Sequence, residues 1–297
     1  MEYSDYPVHA WSRSRHRMRA QCPRKAVLFC RDARAGADPL AERMPRLLHE
    51  YRNRITLDAY MYRSLHDFVR QAFYTFTEDG KLLYSSISAL AGAMQNRFDR
   101  ELERMLYGGS SYDHKLFFLR ELEDKNCRIP ALMERAAAKI SDLCAALEKN
   151  LWQLIVSTPG VSRRHIASPL AVYINDLCCY CAPVLALERN GDFWTVEFNG
   201  DGTSALLHKF YGINTLGRDV ECLRSFSYDV KSGDFFETGL ELSVSAQLER
   251  IAADGAAWAE LLSLPTEQIP GNTAHCGECE FYRFCQKYYP NQGGDVK

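Results

Sequence analysis

The residues best suited to chemistry in this chain are cysteines near its two ends. Cys276 and Cys279 are separated by two residues, close enough for both thiolates to reach one ion, and Gly277 relieves crowding in that turn. Cys285 follows after five more residues, a distance that a turn of helix returns to the same centre. Three close cysteines leave a four-coordinate site one ligand short. Cys22, in the segment Gln21-Cys22-Pro23-Arg24-Lys25, is the best candidate for the fourth. Thiolates suit either tetrahedral zinc or an iron–sulfur cluster, and the spacing does not choose between them. His275 competes as a zinc ligand and Cys30 as the fourth thiol. The plainer alternative is that these thiols only pack, but a short polar tail needs something to fix it in place.

A second group could contact phosphate. The first 31 residues hold seven Lys and Arg against two acids, with Tyr3, Tyr6, Trp11 and Phe29 among them. Arg13, Arg15, Arg17, Arg19, Arg24 and Lys25 are therefore candidate contacts to a DNA backbone, the alternative being a solvated basic face. The chain as a whole gives no such signal: it is 46% hydrophobic and 25% charged over 297 residues, with a net charge of −2, an ordinary globular composition. Eleven cysteines cannot all pair within the chain. No apolar run reaches membrane-spanning length, and the first residues lack a signal-peptide core. A cytoplasmic protein without a membrane partner is expected, and there disulfides rarely persist.

These groups need a scaffold. A short helix is expected near residues 22–30, a loop over 31–45, and helices over 55–76, 85–106 and 112–124, with Gly108 to Ser111 as an interruption. Pro130 sits in the first turn of a long helix, whose apolar stripe is Leu132, Ala136, Ile140, Leu143, Leu147, Leu151 and Leu154. Beyond residue 168 the pattern turns strand-like, over 170–174, 178–187 and 193–198. Arg189-Asn190-Gly191-Asp192 is a hairpin signal between the last two. A helix over 204–216, a strand over 220–228 and a helix over 243–262 complete the pattern.

With these landmarks the chain resembles the Cas4- and RecB-like branch of the PD-(D/E)XK nucleases. Cys22-Pro23-Arg24-Lys25 looks like that branch's N-terminal cysteine segment, and Cys276, Cys279 and Cys285 match its C-terminal triplet. The resemblance implies a 4Fe–4S cluster, with zinc as the alternative. It also implies that Leu65-His66 is the family's helical histidine motif, although bulkier residues replace the usual glycine. The stretch from Cys181 to Asn199 is similar to its two-strand catalytic core, in which two carboxylates hold Mg or Mn against the scissile phosphate and a lysine assists.

Two of the three catalytic positions depart from that pattern. Val184 stands in place of the first aspartate and Asn199 in place of the lysine, leaving Glu197. Leu207 and Tyr211 keep half of a downstream glutamine–tyrosine motif. Lys209, Asp176, Glu188, Asp192 and Asp201 are available for a rearranged site. The expectation is an α/β protein with a restriction-endonuclease-like mixed-sheet core, a large helical N-terminal portion and a metal-stapled C-terminal tail. Its divisions are residues 1–165, 166–265 and 266–297. Function is expected to be that of a degenerate nuclease that binds DNA, or a protein partner in a DNA-processing or defence complex, through a cleft lined by His66 and Glu197. An active metal-dependent deoxyribonuclease and a zinc-stapled protein-interaction module are the alternatives.

Overall fold

The computed structural model describes residues 8–38, 40–75, 82–107, 117–156, 161–163, 170–181, 183–240 and 242–290. The N-terminal arm opens with a short strand, β1 (Trp11–Ser12), and the Ser12 hydroxyl caps helix α1 (Arg13–Gln21) by accepting the Arg15 N–H. No residue of α1 is buried, so the apolar periodicity that reveals a helix in sequence is missing. Cys22 ends α1 in extended backbone and opens α2 (Pro23–Val27), the helix expected there. Pro23 suits a first turn because its missing N–H would have had no partner.

Helix α3 (Arg43–Arg52) begins inside the expected loop, with Pro45 tolerated in its first turn. Strand β2 (Arg54–Ile55) leads into α4 (Leu57–Tyr74), and α5 (Ile87–Tyr107) follows, both close to expectation. The expected helix over 112–124 is corrected in its described part. Phe118–Leu119 form β3, paired in parallel with β2, and a single 3-10 turn follows. There Glu121 is used as a cap, its carboxylate accepting the Leu57 N–H at the start of α4. The interruption at 108–111 lies outside the described residues. Helix α6 (Ile129–Lys149) buries its predicted stripe up to Leu147, and the helix is interrupted at Asn150 before α7 (Leu151–Val156), which carries Leu151 and Leu154.

Two sheets follow. Strand β4 (Val161–Arg163) joins the main sheet, while β5 (Leu170–Ile174) and β6 (Leu177–Cys181) form a smaller sheet with β1, in the order β1-β6-β5. The run over 178–187, expected as one strand, therefore divides between sheets. It breaks before β7 (Leu185–Arg189) at Pro183, which has no N–H for a ladder. Asn190 (φ 54°) and Gly191 (φ 89°) turn β7 into β8 (Asp192–Phe198), as the Asn-Gly pair predicts. Helix α8 (Gly202–Leu216) then crosses to β9 (Leu223–Tyr228), parallel to β8, and β10 (Phe235–Glu237) closes the edge. The order β10-β9-β8-β7-β4 is antiparallel except at β8/β9. Helices α9 (Val244–Ser263) and α10 (Tyr282–Tyr288) end the fold.

Alternation along the strands sends side chains to two different layers. Leu185, Leu187 and Val196 pack with Leu65, Phe68, Leu143 and Leu147 of α4 and α6. Ala186 and Phe193 pack on the other face with Trp11, Leu206, Leu207 and Ile251. The helical portion and the sheet thus share one core in a mixed α/β architecture. Among the described residues, no helix is long and apolar enough to cross a membrane.

Candidate metal centre and the Glu197 pocket

The chain ends meet around Cys22. Its Sγ accepts the N–H groups of Lys25 and Asn272, each at 3.4 Å, while the Asn272 side chain donates to the Gln21 carbonyl at 2.8 Å. The Cys276 thiol points at the Asn272 carbonyl, 3.6 Å away. Cys279 and Cys285 lie against an apolar cluster of Leu28, Ala33, Leu48, Phe281 and Phe284. Arg24, buried, donates twice to the Ile269 carbonyl, and Lys25 pairs with Glu280 at 2.8 Å. These contacts dock the arm on the tail.

The four thiols sense one another. Burial raises Cys285 to about 11, with Cys22 and Cys276 adding to the rise against the opposing Arg24 charge. Burial likewise raises Cys279 to about 12, helped by Glu280 and Cys285, and burial then Cys22 raise Cys276. Such a set disfavours free thiolates and fits a cationic centre that would neutralise them. Among the described residues, no group of three or more His, Cys, Asp or Glu side chains is arranged to hold a single metal ion. Cys30 packs with Ala26, Val27 and Trp258 in a separate apolar cluster, and His275 is exposed.

Glu197, near the end of β8, faces α1 and α8. The Arg13 guanidinium reaches it at 2.7 Å and reaches the Asp201 carboxylate at the same distance, and also donates to the Asn199 carbonyl. Arg17 lies 3.5 Å from Asp201. Asp201 caps α8 by accepting the Ser204 N–H at 3.0 Å. Burial pushes its carboxyl up, but the Ser204 N–H, Arg13 and Arg17 outweigh that and hold it below its ordinary value. Behind Glu197 lies His208, 2% exposed, whose Nδ1 is 3.1 Å from the Thr195 hydroxyl, itself 3.2 Å from Ser225. Its Nε2 is 3.9 Å from Glu197 and has no hydrogen-bond partner among the described residues. Burial lowers the imidazole's pKa, and the opposing pull of Glu197 does not reverse this.

His66 and Glu197 do not share a cleft. The His66 ring meets Phe198 edge-on, with centroids 5.9 Å apart, and Phe198 belongs to the α4–α6 layer with Val196 and Val184. Glu197, the next residue on the strand, points to the opposite face. The groups that surround His66 on β8 are therefore apolar. Asn199 adopts a left-handed backbone (φ 50°) and its side chain accepts the Val230 N–H at 3.3 Å. Asparagine tolerates that conformation where lysine does so poorly.

The basic arm is largely engaged internally. Arg15 donates to the Val8 and Ala10 carbonyls, and Arg19 pairs with Asp254 at 2.6 Å. With Arg13, Arg24 and Lys25 also paired, Arg17 is the one of the six whose side chain is about half exposed, at 54%. Of the acids available for rearrangement, Glu188 pairs with Arg218 and Asp192 with Arg224, and Asp176 is exposed in the β5–β6 turn. Leu207 is core and Tyr211 packs beside it. His208, Thr195 and Ser225 carried no sequence signal, since single polar residues among apolar ones look alike whether buried or not. No protein-family model and no curated protein matches this chain.

Proposed function

We propose that this chain is a catalytically degenerate protein of nuclease-like fold, stapled by an iron–sulfur cluster on Cys22, Cys276, Cys279 and Cys285, that binds DNA or docks on a DNA-processing partner. The carrying observation is Arg13, which places a fixed positive charge between Glu197 and Asp201. A divalent cation would need those same oxygens. His66 lies across the sheet from them, so two carboxylates and a histidine do not assemble around one phosphate. The mixed sheet and the meeting of the chain ends support the nuclease-like scaffold, and the four thiols supply a donor set suited to a cluster. Its role would be structural, fixing the arm that carries Arg13.

The test is purification without oxygen, followed by iron, sulfide and zinc analysis and incubation with single- and double-stranded DNA plus Mg²⁺ or Mn²⁺. Bound iron that Cys276→Ser loses, salt-sensitive DNA retention and no cleavage are expected. Cleavage abolished by Glu197→Ala would establish an active, rearranged nuclease instead. Stoichiometric zinc without DNA retention would establish a protein-interaction module.

A further inference from the structure

Between α1, α8 and α9 lies a cavity of about 120 Å³, several times the roughly 30 Å³ of a water molecule. It is large enough for a phosphate group and too small for a nucleotide. Its wall carries Arg13, Arg17 and Arg250, with Thr203 in the first turn of α8. The carboxylates that border it are already paired: Asp201 with Arg13 and, at 3.5 Å, with Arg17, and Asp254 with Arg19 at 2.6 Å. On the wall itself, Arg13, Arg17 and Arg250 outnumber the two carboxylates, Asp201 and Asp254. Arg250 has no ion pair or hydrogen bond among the described residues.

Two further features shape the cavity. Trp11, only 3% exposed, and Ile251 give the cavity an apolar lining beside its arginines. Secondly, α8 directs its N-terminal end at the cavity through Asp201 and Thr203. Helix N-termini favour anions through their dipole and unpaired amides. Burial and then the adjacent Arg13 charge also lower the pKa of Arg17, so the two guanidinium groups crowd each other where an anion would relieve them.

We propose that this cavity binds a single phosphate group, held by Arg17 and Arg250 of its wall. The phosphate belongs either to a nucleic-acid backbone, a form that rests on the DNA reading above, or to a small phosphorylated molecule. The pocket itself does not depend on that reading.

Isothermal titration of the full chain with inorganic phosphate, against chloride at equal ionic strength, tests it. Saturable phosphate binding is expected, weakened at least tenfold by Arg17→Gln and by Arg250→Gln. Both side chains are at the surface, and unchanged thermal melts check that the variants fold. Adding a single-stranded oligonucleotide separates the sources. Displacement of phosphate by the oligonucleotide assigns the site to a nucleic-acid backbone. Phosphate binding without displacement keeps the site and assigns it to a small phosphorylated ligand, even if the DNA reading fails. Heat no different from chloride, or phosphate binding indifferent to both variants, overturns the proposal.

Discussion

Arg13 and Glu197 stand 184 positions apart in sequence and meet as a 2.7 Å ion pair, with 11% and 20% of their side chains exposed. The pair, extended to Asp201, binds the N-terminal helix to the end of β8. Removing one partner leaves charge behind in a half-buried place, which costs more than losing the pair. Arg13→Met is expected to destabilise by about 3 kcal/mol, measured by urea unfolding. Combining it with Glu197→Gln should recover part of that loss, and a double variant no more stable than the single one would contradict the account.

The pocket behind the pair makes stability depend on pH. Buried His208 has a lowered pKa, so the unfolded chain takes up its proton near pH 6.5 while the folded protein resists until lower pH. Stability therefore falls as pH drops below about 6.5. Asp201, held below its ordinary value, contributes stability that is complete above about pH 4 and is lost as pH falls through its depressed pKa. Melting temperatures between pH 7.5 and 5 should show the first slope, and His208→Gln should flatten it.

The buried tail thiols should be slow nucleophiles when no metal is bound. With Cys279 at about 12 and Cys285 at about 11, few thiolates exist at pH 8, whereas an ordinary cysteine titrates near 8.5. Timed iodoacetamide labelling of metal-free protein, read by mass spectrometry, should modify these two more slowly than the same residues in urea. Equal rates would mean that the tail is not docked as described.

Under the proposed nuclease-like reading, an aspartate at position 184 should not confer catalysis. Val184 is 1% exposed, in the apolar layer with Val196 and Leu65. Val184→Asp puts a carboxyl there without a partner, at an expected cost of about 3 kcal/mol or more. Since Glu197 faces away, the variant should remain inactive with Mg²⁺ or Mn²⁺. Urea unfolding and a nuclease assay on the same preparation check both outcomes.

Local periodicity made much of the scaffold legible. The stripe from Leu132 to Leu147 on α6, the Asn190-Gly191 hairpin and the helix expected over 204–216 each depend on residues within a few positions, and each is found where expected. Helix α1 escaped because it buries no face. The strand over 178–187 was misread because an apolar run does not show that Pro183 sends its halves to different sheets.

The reactive inventory is legible from residue order alone: three tail cysteines at close spacing, a fourth at Cys22, a basic arm, and Val184 and Asn199 flanking a lone Glu197. Tertiary structure alone decided what those groups face. Strand alternation fixes side only relative to neighbouring residues, so which face of β8 carries Glu197 depended on where α4 and α8 pack. The partners of Arg13, Arg19 and Arg24 depended on contacts more than 180 residues distant. Charge in a sequence has no address until folding decides which carboxylate or carbonyl will desolvate beside it.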